Sequence, residues 1–350
     1  MKKIILIITL LLPFIVKGIS TTAQSAILMD TDNNRIIYSK NIHEVSSVAS
    51  ISKIMTAVLA IESGKLDEEV KINSSINKAY GSAIYIKIGE KMKLRDLIYG
   101  LMLRSGNDAA LAIADYVGGS VDNFVIMMNH KAKEIGMKNS KFNNPSGLDE
   151  DKANYSTAYD MAILTSYAMK ISDYRKIVKT REYRLETNKN TYIWHNKHRL
   201  LRLYKYTTGG KTGYTKIAKR TLVTTASKNN TNLVAVTLND GNDFKDHMDL
   251  FDYGFENYKS YSILKKGYIN IYNENYYKDY NLYIKEDFKY ILDDSEKESI
   301  NIKYIIKKIK KVKDRESVGS VIVSLGDKQI YSAPIYAKLK TKNKKKWRLW

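Results

Sequence analysis

The stretch Thr221-Leu-Val-Thr-Thr-Ala-Ser-Lys-Asn-Asn-Thr-Asn-Leu-Val-Ala-Val-Thr-Leu238 decides the fold. Its two apolar, β-branched runs flank the polar segment 228–232, which predicts two strands joined by a turn. A second pair of apolar runs, 25–29 and 35–38, surrounds an Asp/Asn-rich turn near the N-terminus. We therefore expect an antiparallel sheet in which N-terminal and C-terminal strands lie side by side.

The sequence between these two strand pairs has helical periodicity. Apolar residues recur at helical spacing from Ser50 to Ser63, and Gly64 is a natural stop. Further helices are predicted at 94–103, 109–117, 124–135, 157–169 and 246–258. The predicted fold class is α/β, an antiparallel sheet flanked by helices.

The residue pattern of the sequence changes near Tyr261, where the helical periodicity ends. Short Tyr/Ile/Val runs follow, and the runs 318–323 and 329–337 bracket the turn sequence Gly326-Asp327. We therefore predict a larger domain at 24–259 and a small all-β domain at 260–340.

The N-terminus predicts export. Basic residues follow Met1, and an unbroken apolar run then covers 4–16. This run is shorter than the roughly 20 residues that a membrane span needs, but it fits a secretory signal. We predict a signal peptide at 1–23 and action at the extracytoplasmic face of the membrane or in the cell wall. Two pairs of small residues fit the cleavage positions: Val16 with Gly18, and Thr21 with Ala23.

The chain of 350 residues has a formal net charge of +21. Such a surplus of positive charge favours polyanionic partners. Because the protein is predicted to be exported, we expect these partners to be an anionic membrane surface or wall polymers and not nucleic acid. The basic tail 341–350, with Trp347 and Trp350, is predicted to attach to a membrane surface, or else to be a frayed, solvated end. There is no cysteine, and the five histidines lack metal-ligand spacing, so we expect no metal and no cofactor.

Three short motifs carry the chemistry: Ser50-Ile-Ser-Lys53, Ser105-Gly-Asn107 and Lys211-Thr-Gly213. A serine hydroxyl is a poor nucleophile until a base removes its proton. Residues three apart share a helix face, so Lys53 lies beside Ser50. A lysine acts as a base only when its pKa falls, and Lys211 together with the helix N-terminus favours that fall. In order and context the three motifs match the set of penicillin-recognising serine enzymes.

Longer stretches resemble one family. They are 49–56, 103–110, 144–148, 155–161 and 210–215, and they look like the D-alanyl-D-alanine carboxypeptidases, the low-molecular-mass penicillin-binding proteins of the S11 serine peptidase type. The resemblance implies a DD-peptidase/β-lactamase-like catalytic domain followed by a β domain. It implies as substrate the D-Ala-D-Ala end of the peptidoglycan stem peptide, and β-lactams as covalent inhibitors.

The resemblance also implies roles for single residues. Ser50 would be acylated with Lys53 as its base, Ser105 would relay a proton to the leaving amine, and Asn107 would hold the substrate amide. The backbone N–H groups of Ser50 and of Tyr214 or Thr215 would form the oxyanion hole. The predicted substrate-binding residues are Lys211, Thr212, Gly213, Tyr214, Thr215 and Arg220.

One position departs from the family pattern. Asp243 stands where related enzymes carry an arginine for the substrate carboxylate, which leaves Arg220, Lys197 and Lys211 as candidate partners.

A class A β-lactamase is an alternative function, because Glu150 and Asn154 mimic a Glu-x-x-x-Asn spacing. A catalytically inactive wall-binding protein is another, although the motifs are intact. Carboxypeptidase, endopeptidase and transpeptidase activities share one acyl-enzyme, so the sequence leaves the choice among them open.

Overall fold

The computed structural model describes residues 18–149, 152–272 and 274–340. The larger domain contains the strands β1 (Ser25–Asp30), β2 (Ile36–Lys40), β3 (Ser46–Ser47), β4 (Glu69–Lys71), β5 (Lys91–Lys93), β6 (Tyr155–Ser156), β7 (Glu182–Glu186), β8 (Thr191–His195), β9 (Thr207–Thr215), β10 (Lys219–Lys228) and β11 (Thr231–Leu238). Its main sheet has the order β2-β1-β11-β10-β9. Strand β1 pairs antiparallel with β11, which confirms that N-terminal and C-terminal strands are neighbours.

Helices surround this sheet. They are α1 (Lys53–Glu62), α2 (Leu94–Tyr99), α3 (Asn107–Gly118), α4 (Val121–Glu134), α5 (Ala158–Ala168), α6 (Ser172–Lys179), α7 (Leu200–Leu203) and α8 (Asp243–Asn257). The predicted helix 94–103 is interrupted, because the chain widens into a π turn at Gly100–Arg104 after α2. That turn delivers Ser105 with a left-handed φ of 63°.

The two faces of the sheet bury separate apolar cores. Along β11, Val234 and Val236 belong to the core that also contains residues of α1, α3 and α5, whereas Leu233 and Ala235 belong to the core that contains residues of α8. This alternation is the period of two expected of a strand that is covered on both faces. The central strands are therefore held from both sides, and the edge strand β9 is left to border a cleft.

The motif Lys211-Thr-Gly213 lies within β9, a strand that is not among those predicted from the sequence. Strand β9 pairs antiparallel with β10, and Gly213 is opposite Thr221. The sequence pattern does not predict β9, because glycines and lysines have a low intrinsic preference for strands. Pairing with the strongly apolar β10 overrides that preference.

The C-terminal domain is all β, as predicted. It contains β12 (Lys259–Leu264), β13 (Gly267–Tyr268), β14 (Tyr280–Ile284), β15 (Phe288–Leu292), β16 (Ile300–Ile306), β17 (Glu316–Leu325) and β18 (Lys328–Leu339). Five of these strands form a sheet in the order β13-β14-β18-β17-β16, and β12 pairs with β15. The predicted hairpin is β17–β18, closed at the pair Leu325 and Lys328.

Arg35 links the two domains. Its guanidinium donates to the carbonyl oxygen of Ile291 at 2.6 Å and forms an ion pair with Glu296. The guanidinium carbon also lies 5.2 Å from the ring centroids of Tyr258 and Tyr290. A partly buried arginine held by a carboxylate and two rings fixes this junction more firmly than an exposed pair would.

Several predicted segments lie outside the described residues. These are the apolar run of the signal at 4–16, Glu150 and the tail 341–350. Within 18–149, 152–272 and 274–340, no single helix is long and apolar enough to cross a bilayer, although α3 and α4 together, bent by 84°, pass on length and composition.

Candidate active site

Ser50 lies at the start of the first long helix. It belongs to a short 3-10 turn, Ala49–Ser52, that leads directly into α1. Ala49 has a left-handed φ of 50°, an uncommon conformation for a residue with a side chain. Such local strain is found where the surrounding structure must aim a group, here the hydroxyl of Ser50.

Lys53 lies beneath Ser50 and is fully buried. Its Nζ is 3.1 Å from Ser50 Oγ, 2.7 Å from Asn107 Oδ1 and also in contact with the carbonyl oxygen of Ser146. Burial holds the pKa of Lys53 well below its usual value, and the positive charges of Lys211 and Lys197 lower it further. In its neutral form, Lys53 would donate its two hydrogens to the two carbonyl oxygens, and its lone pair would then be free to accept from the Ser50 hydroxyl.

Ser105 and Asn107 form the second wall of the site. The amide of Asn107 is held at both ends, since Oδ1 accepts from Lys53 and Nδ2 donates to the carbonyl oxygen of Tyr80 at 2.5 Å. Ser105 has a left-handed backbone, and its side chain borders the same pocket as Ser50. The widened turn before Ser105 therefore presents a hydroxyl to the cleft on the side opposite β9.

Strand β9 supplies the third wall. Lys211 is 2% exposed, and its Nζ donates to the carbonyl oxygen of Thr212 at 2.7 Å. Burial, with a contribution from Lys197, lowers the pKa of Lys211 to about 7. A Cβ at Gly213 would lie 2.4 Å from Thr221 Oγ1 and 3.0 Å from the backbone nitrogen of Ser50, so only glycine fits there.

These walls enclose an open pocket of about 480 Å³. Its lining comes from the turn before α1, the loop at Ser82, the Ser105 turn, the segment before α7, β9, β10 and the start of α8. The residues are Ser50, Ser82, Ser105, Lys197, Arg199, Thr212, Gly213, Tyr214, Arg220, Asp243 and Phe244. Lys53, Asn107 and Lys211 lie just beneath, each 3% exposed or less. The arrangement places a hydroxyl beside an amine whose pKa is lowered, under a rim that carries positive charge.

Comparison with known proteins identifies the family. The sequence profile of the D-alanyl-D-alanine carboxypeptidases, serine peptidases of type S11, matches residues 13–242. The chain belongs to the D-alanyl-D-alanine carboxypeptidase family. A second profile, the C-terminal domain of penicillin-binding protein 5, matches residues 258–343.

Individual members of this carboxypeptidase family give the same picture. The chain is 36% identical over 253 residues to D-alanyl-D-alanine carboxypeptidase DacF of Bacillus subtilis, an alignment that covers 70% of this chain and 65% of that protein. It is 34% identical over 230 residues to the D-alanyl-D-alanine carboxypeptidase of Streptomyces sp. K15, covering 60% and 78%. Penicillin-binding protein 5 of Haemophilus influenzae superposes with a TM-score of 0.78 at 27% identity, covering 93% and 99%.

Two predicted residues of this family member have other partners. The hydroxyl of Thr215 is bound to the carboxylate of Asp149 and accepts from the backbone of Ala218 at 2.9 Å, so the structure does not bring this side chain into the pocket. Arg220 does line the pocket, but its guanidinium forms an ion pair with Asp243. Asp243 therefore neutralises Arg220, the residue that was predicted to bind the substrate carboxylate in place of the arginine expected at position 243.

Arg199 is a pocket residue that sequence analysis missed. It lies over the ring of Phe244, with the guanidinium carbon 5.4 Å from the ring centroid, and within the described residues no carboxylate forms an ion pair with it. No motif surrounds Arg199, so its position in the cleft could be found only from the fold.

Asp108 is a second residue that sequence analysis missed. This buried carboxylate accepts from the backbone nitrogens of Ile84 at 3.0 Å and of Tyr85 at 2.7 Å. It thereby ties the loop above the cleft to the helix that begins with Asn107. Its place directly after the Ser-Gly-Asn motif was a usable signal.

The two buried histidines contact other buried groups. His198 and His247 are buried, and both contact the hydroxyl of Thr224, at 3.0 and 2.8 Å. Burial lowers the pKa of both, so they are neutral at pH 7. Across the described residues, no cluster of histidine and carboxylate side chains forms a candidate metal site.

Proposed function

We propose that this protein is a serine D-Ala-D-Ala carboxypeptidase that removes the terminal D-Ala from peptidoglycan stem pentapeptides through an acyl-enzyme on Ser50. The observation that carries the proposal is the fully buried Lys53, whose Nζ lies 3.1 Å from Ser50 Oγ and whose pKa is lowered by burial and by two neighbouring cations. A buried lysine without a carboxylate partner is costly, and its use as a base explains that cost.

The proposed reaction begins with proton transfer from Ser50 Oγ to Lys53 Nζ. The oxygen attacks the carbonyl carbon of the penultimate D-Ala, and the backbone N–H groups of Ser50 and of Tyr214 or Thr215 stabilise the oxyanion. Collapse breaks the C–N bond, and the leaving amine takes its proton through the hydroxyl of Ser105. Water then attacks the ester, with Lys53 again as the base, and releases the shortened peptide.

The positive rim suits the substrate's terminal carboxylate. Thr212 and Arg199 line the pocket, Lys211 lies just beneath it, and Arg220 lines it while paired with Asp243. A bound carboxylate would raise the pKa of Lys211 from about 7 and favour its charged form. The same groups suit the carboxylate of a β-lactam, which we propose as a covalent inhibitor.

The alternative functions have less support. The Asn154 side chain is part of a turn, where its Oδ1 accepts from the backbone nitrogen of Asn143 at 2.7 Å and its Nδ2 donates to the carbonyl oxygen of Asn144 at 2.9 Å. It is therefore already engaged and does not position a hydrolytic water as in a class A β-lactamase. An inactive wall-binding protein would have no use for the low pKa of Lys53.

The proposed site of action is the extracytoplasmic face of the membrane or the cell wall, after removal of a signal. The backbone nitrogen of Thr22 donates to Asp246 at 2.6 Å, and Ala23 is fully buried. Cleavage after Gly18 keeps these contacts, whereas cleavage after Ala23 removes them, so we favour the first. Mass spectrometry of the exported protein distinguishes the two N-termini.

The test of the activity is direct. Purified protein is incubated with a monomeric pentapeptide muropeptide, and free D-Ala is quantified with the Ser50→Ala variant as control. We expect stoichiometric release of D-Ala by the native protein and none by the variant. A native protein that binds the muropeptide but releases no D-Ala would overturn the proposal, and rapid multiple-turnover hydrolysis of a cephalosporin would favour the β-lactamase alternative.

A further inference from the structure

A second pocket, of about 680 Å³, lies at the end of the main sheet away from the catalytic cleft. This distal pocket is bounded by α6 and by the ends of β9, β10 and β11. Thr208 of β9 lines it, four residues before Thr212 of the catalytic pocket. A strand rises about 3.3 Å per residue, so the two pockets are about 13 Å apart along β9. The distal pocket is therefore separate from the site of the proposed reaction.

One wall of the distal pocket is cationic. Four exposed basic side chains line it: Lys170, Arg175, Lys176 and Lys179. Among the described residues, no carboxylate forms an ion pair with any of the four. Asp32 is the one acidic residue of the described lining, and its carboxylate accepts from Asn232 Nδ2 at 3.1 Å. The distal pocket therefore carries a surplus of positive charge that the protein does not neutralise.

The arrangement of these cations is unfavourable for the isolated helix. On α6, Lys179 is four residues from Arg175 and three from Lys176, so all three lie on one face. Like charges at these spacings repel one another and destabilise a helix. The opposite face is buried through Tyr174, Ile177 and Val178, so packing holds α6 in spite of the repulsion. A bound polyanion would relieve that repulsion.

The backbone of the cationic wall is fixed in place. A Cβ at Gly209 of β9 would lie 2.4 Å from Val178 Cγ2, so α6 packs directly against the strand. The guanidinium of Arg175 donates to the carbonyl oxygen of Met169 at 2.7 Å, which joins α6 to the end of α5. A wall that is already in position needs little further ordering of its backbone when a ligand binds.

The floor of the distal pocket offers hydrogen-bond acceptors. Thr208 Oγ1 donates to Thr225 Oγ1 at 2.8 Å, and Ser227 Oγ donates to Asn232 Oδ1 at 2.8 Å. Each hydroxyl has one proton, so the half-buried Thr208 and Ser227 can only accept further hydrogen bonds from a ligand. Acceptors beside a cationic wall suit a ligand that carries both hydroxyl donors and phosphates.

We propose that the distal pocket binds a polyol phosphate chain of an anionic wall polymer, in which hydroxyl-bearing units are joined by phosphodiesters. The four cations contact the phosphates, and Thr208 and Ser227 accept from the polyol hydroxyls. A chain can enter a recess of this kind, whereas the surface of a bilayer is flat on the same scale, so the shape favours a polymer over a membrane. Binding does not use Ser50, and the enzyme stays attached to the polymer while the catalytic pocket remains open to stem peptides.

The experiment measures binding of a labelled oligo(glycerol phosphate) to the full-length protein by fluorescence anisotropy at physiological salt. The test variant combines Lys170→Gln, Lys176→Gln and Lys179→Gln. It keeps Arg175, whose contact with Met169 has a structural role. Labelling with fluorescent penicillin verifies that the variant is folded.

The matched control removes the same charge at exposed positions of the C-terminal domain. It combines Lys303→Gln, Lys307→Gln and Lys328→Gln, and none of these lysines forms an ion pair within the described residues. Polyglutamate of similar length serves as a carboxylate polymer without hydroxyl groups. Phosphatidylglycerol vesicles present the same glycerol phosphate chemistry on a membrane.

We expect saturable binding of the oligo(glycerol phosphate) by the native protein and by the control. The test variant should have a Kd at least about tenfold higher, the loss expected when three charge-assisted contacts are removed. D-Ala release by the test variant should not change, and Ser50→Ala should bind the chain as the native protein does. The inference and the proposed function can therefore fail separately.

Three results would overturn the inference. An equal loss of affinity in the control would assign the binding to net charge and not to the distal pocket. Equal affinity for polyglutamate would exclude a site built for polyol phosphates. Binding to the vesicles that depends on the three lysines, without binding to the soluble chain, would assign the distal pocket to a lipid surface.

Discussion

The two domains differ in the charged side chains that they bury. Within the described residues, every buried charged side chain lies before residue 258: Asp30, Lys53, Glu90, Asp108, Asp160, Lys211, Asp240, Asp243 and Asp246. The C-terminal core is apolar or aromatic throughout, built around Phe288, Val321 and Ile335. Burying charge is expensive, so its concentration in one domain indicates where chemistry takes place. The C-terminal domain has the composition of a structural module.

The largest effect should come from the nucleophile. Ser50→Ala should abolish the covalent adduct with penicillin, because no other hydroxyl in the pocket touches Lys53 Nζ among the described residues. Intact-mass spectrometry detects the adduct, and Ser332→Ala, at an exposed position of the C-terminal domain, is the control that keeps it. An adduct that persists in Ser50→Ala would transfer the nucleophile to another residue.

The base comes next. Lys53→Arg keeps the positive charge, but an arginine cannot lose its proton at neutral pH. Acylation by penicillin should slow at least about 10²-fold, the lower range for loss of a general base. Stopped-flow or quench measurements of the acylation rate check this, with the exposed Lys303→Arg of the C-terminal domain as control. Near-normal acylation by Lys53→Arg would exclude Lys53 as the base.

Alanine substitutions at two glycines, one in each domain, should have different effects on acylation and on stability. A Cβ at Gly213 would lie 2.4 Å from Thr221 Oγ1, and a Cβ at Gly319 would lie 2.1 Å from the carbonyl oxygen of Ile305. Gly213→Ala should slow acylation about tenfold or more, whereas Gly319→Ala should destabilise the C-terminal domain by about 1–3 kcal/mol without slowing acylation. Acylation kinetics and thermal unfolding measure both. If Gly319→Ala slows acylation as much as Gly213→Ala, the inference that only the larger domain takes part in the chemistry is wrong.

A smaller effect concerns pH. The charge of Lys197 lowers the pKa of both Lys53 and Lys211. In Lys197→Gln the pKa of Lys53 rises, the protonated form persists to higher pH, and the acid limb of the acylation profile moves upward. We expect less than about one pH unit, because solvent screens a charge at the rim of the pocket. A downward shift in the pH profile would contradict the proposed electrostatics.

The smallest effect on catalysis should come from the tail. Truncation after Lys340 removes five basic residues and two tryptophans, which should abolish co-sedimentation with anionic vesicles at low salt. D-Ala release should not change, because the residues that line the cleft lie between Ser50 and Phe244 in the sequence. Neutral vesicles and high salt are the controls. Equal binding of the full-length and truncated proteins would assign the membrane affinity to the basic surface of the body.

Some features of this protein follow from the sequence by itself. The helical spacing of Ser50 and Lys53 places their side chains together, because residues three apart share one helix face. The hairpin at Gly326-Asp327 follows from its turn residues and the apolar runs beside it. These predictions concern neighbours in the chain, whose geometry depends on local backbone preferences.

The tertiary structure decided the rest. It brings Asn107 and the carbonyl of Ser146, 54 and 93 residues away along the chain, onto Lys53 Nζ. It also turns Thr215 toward Asp149 and brings Arg199 into the pocket. No local pattern encodes such contacts, because they depend on how helices and strands pack. The low pKa of Lys53 has the same origin, since burial is a property of the folded chain and not of a motif.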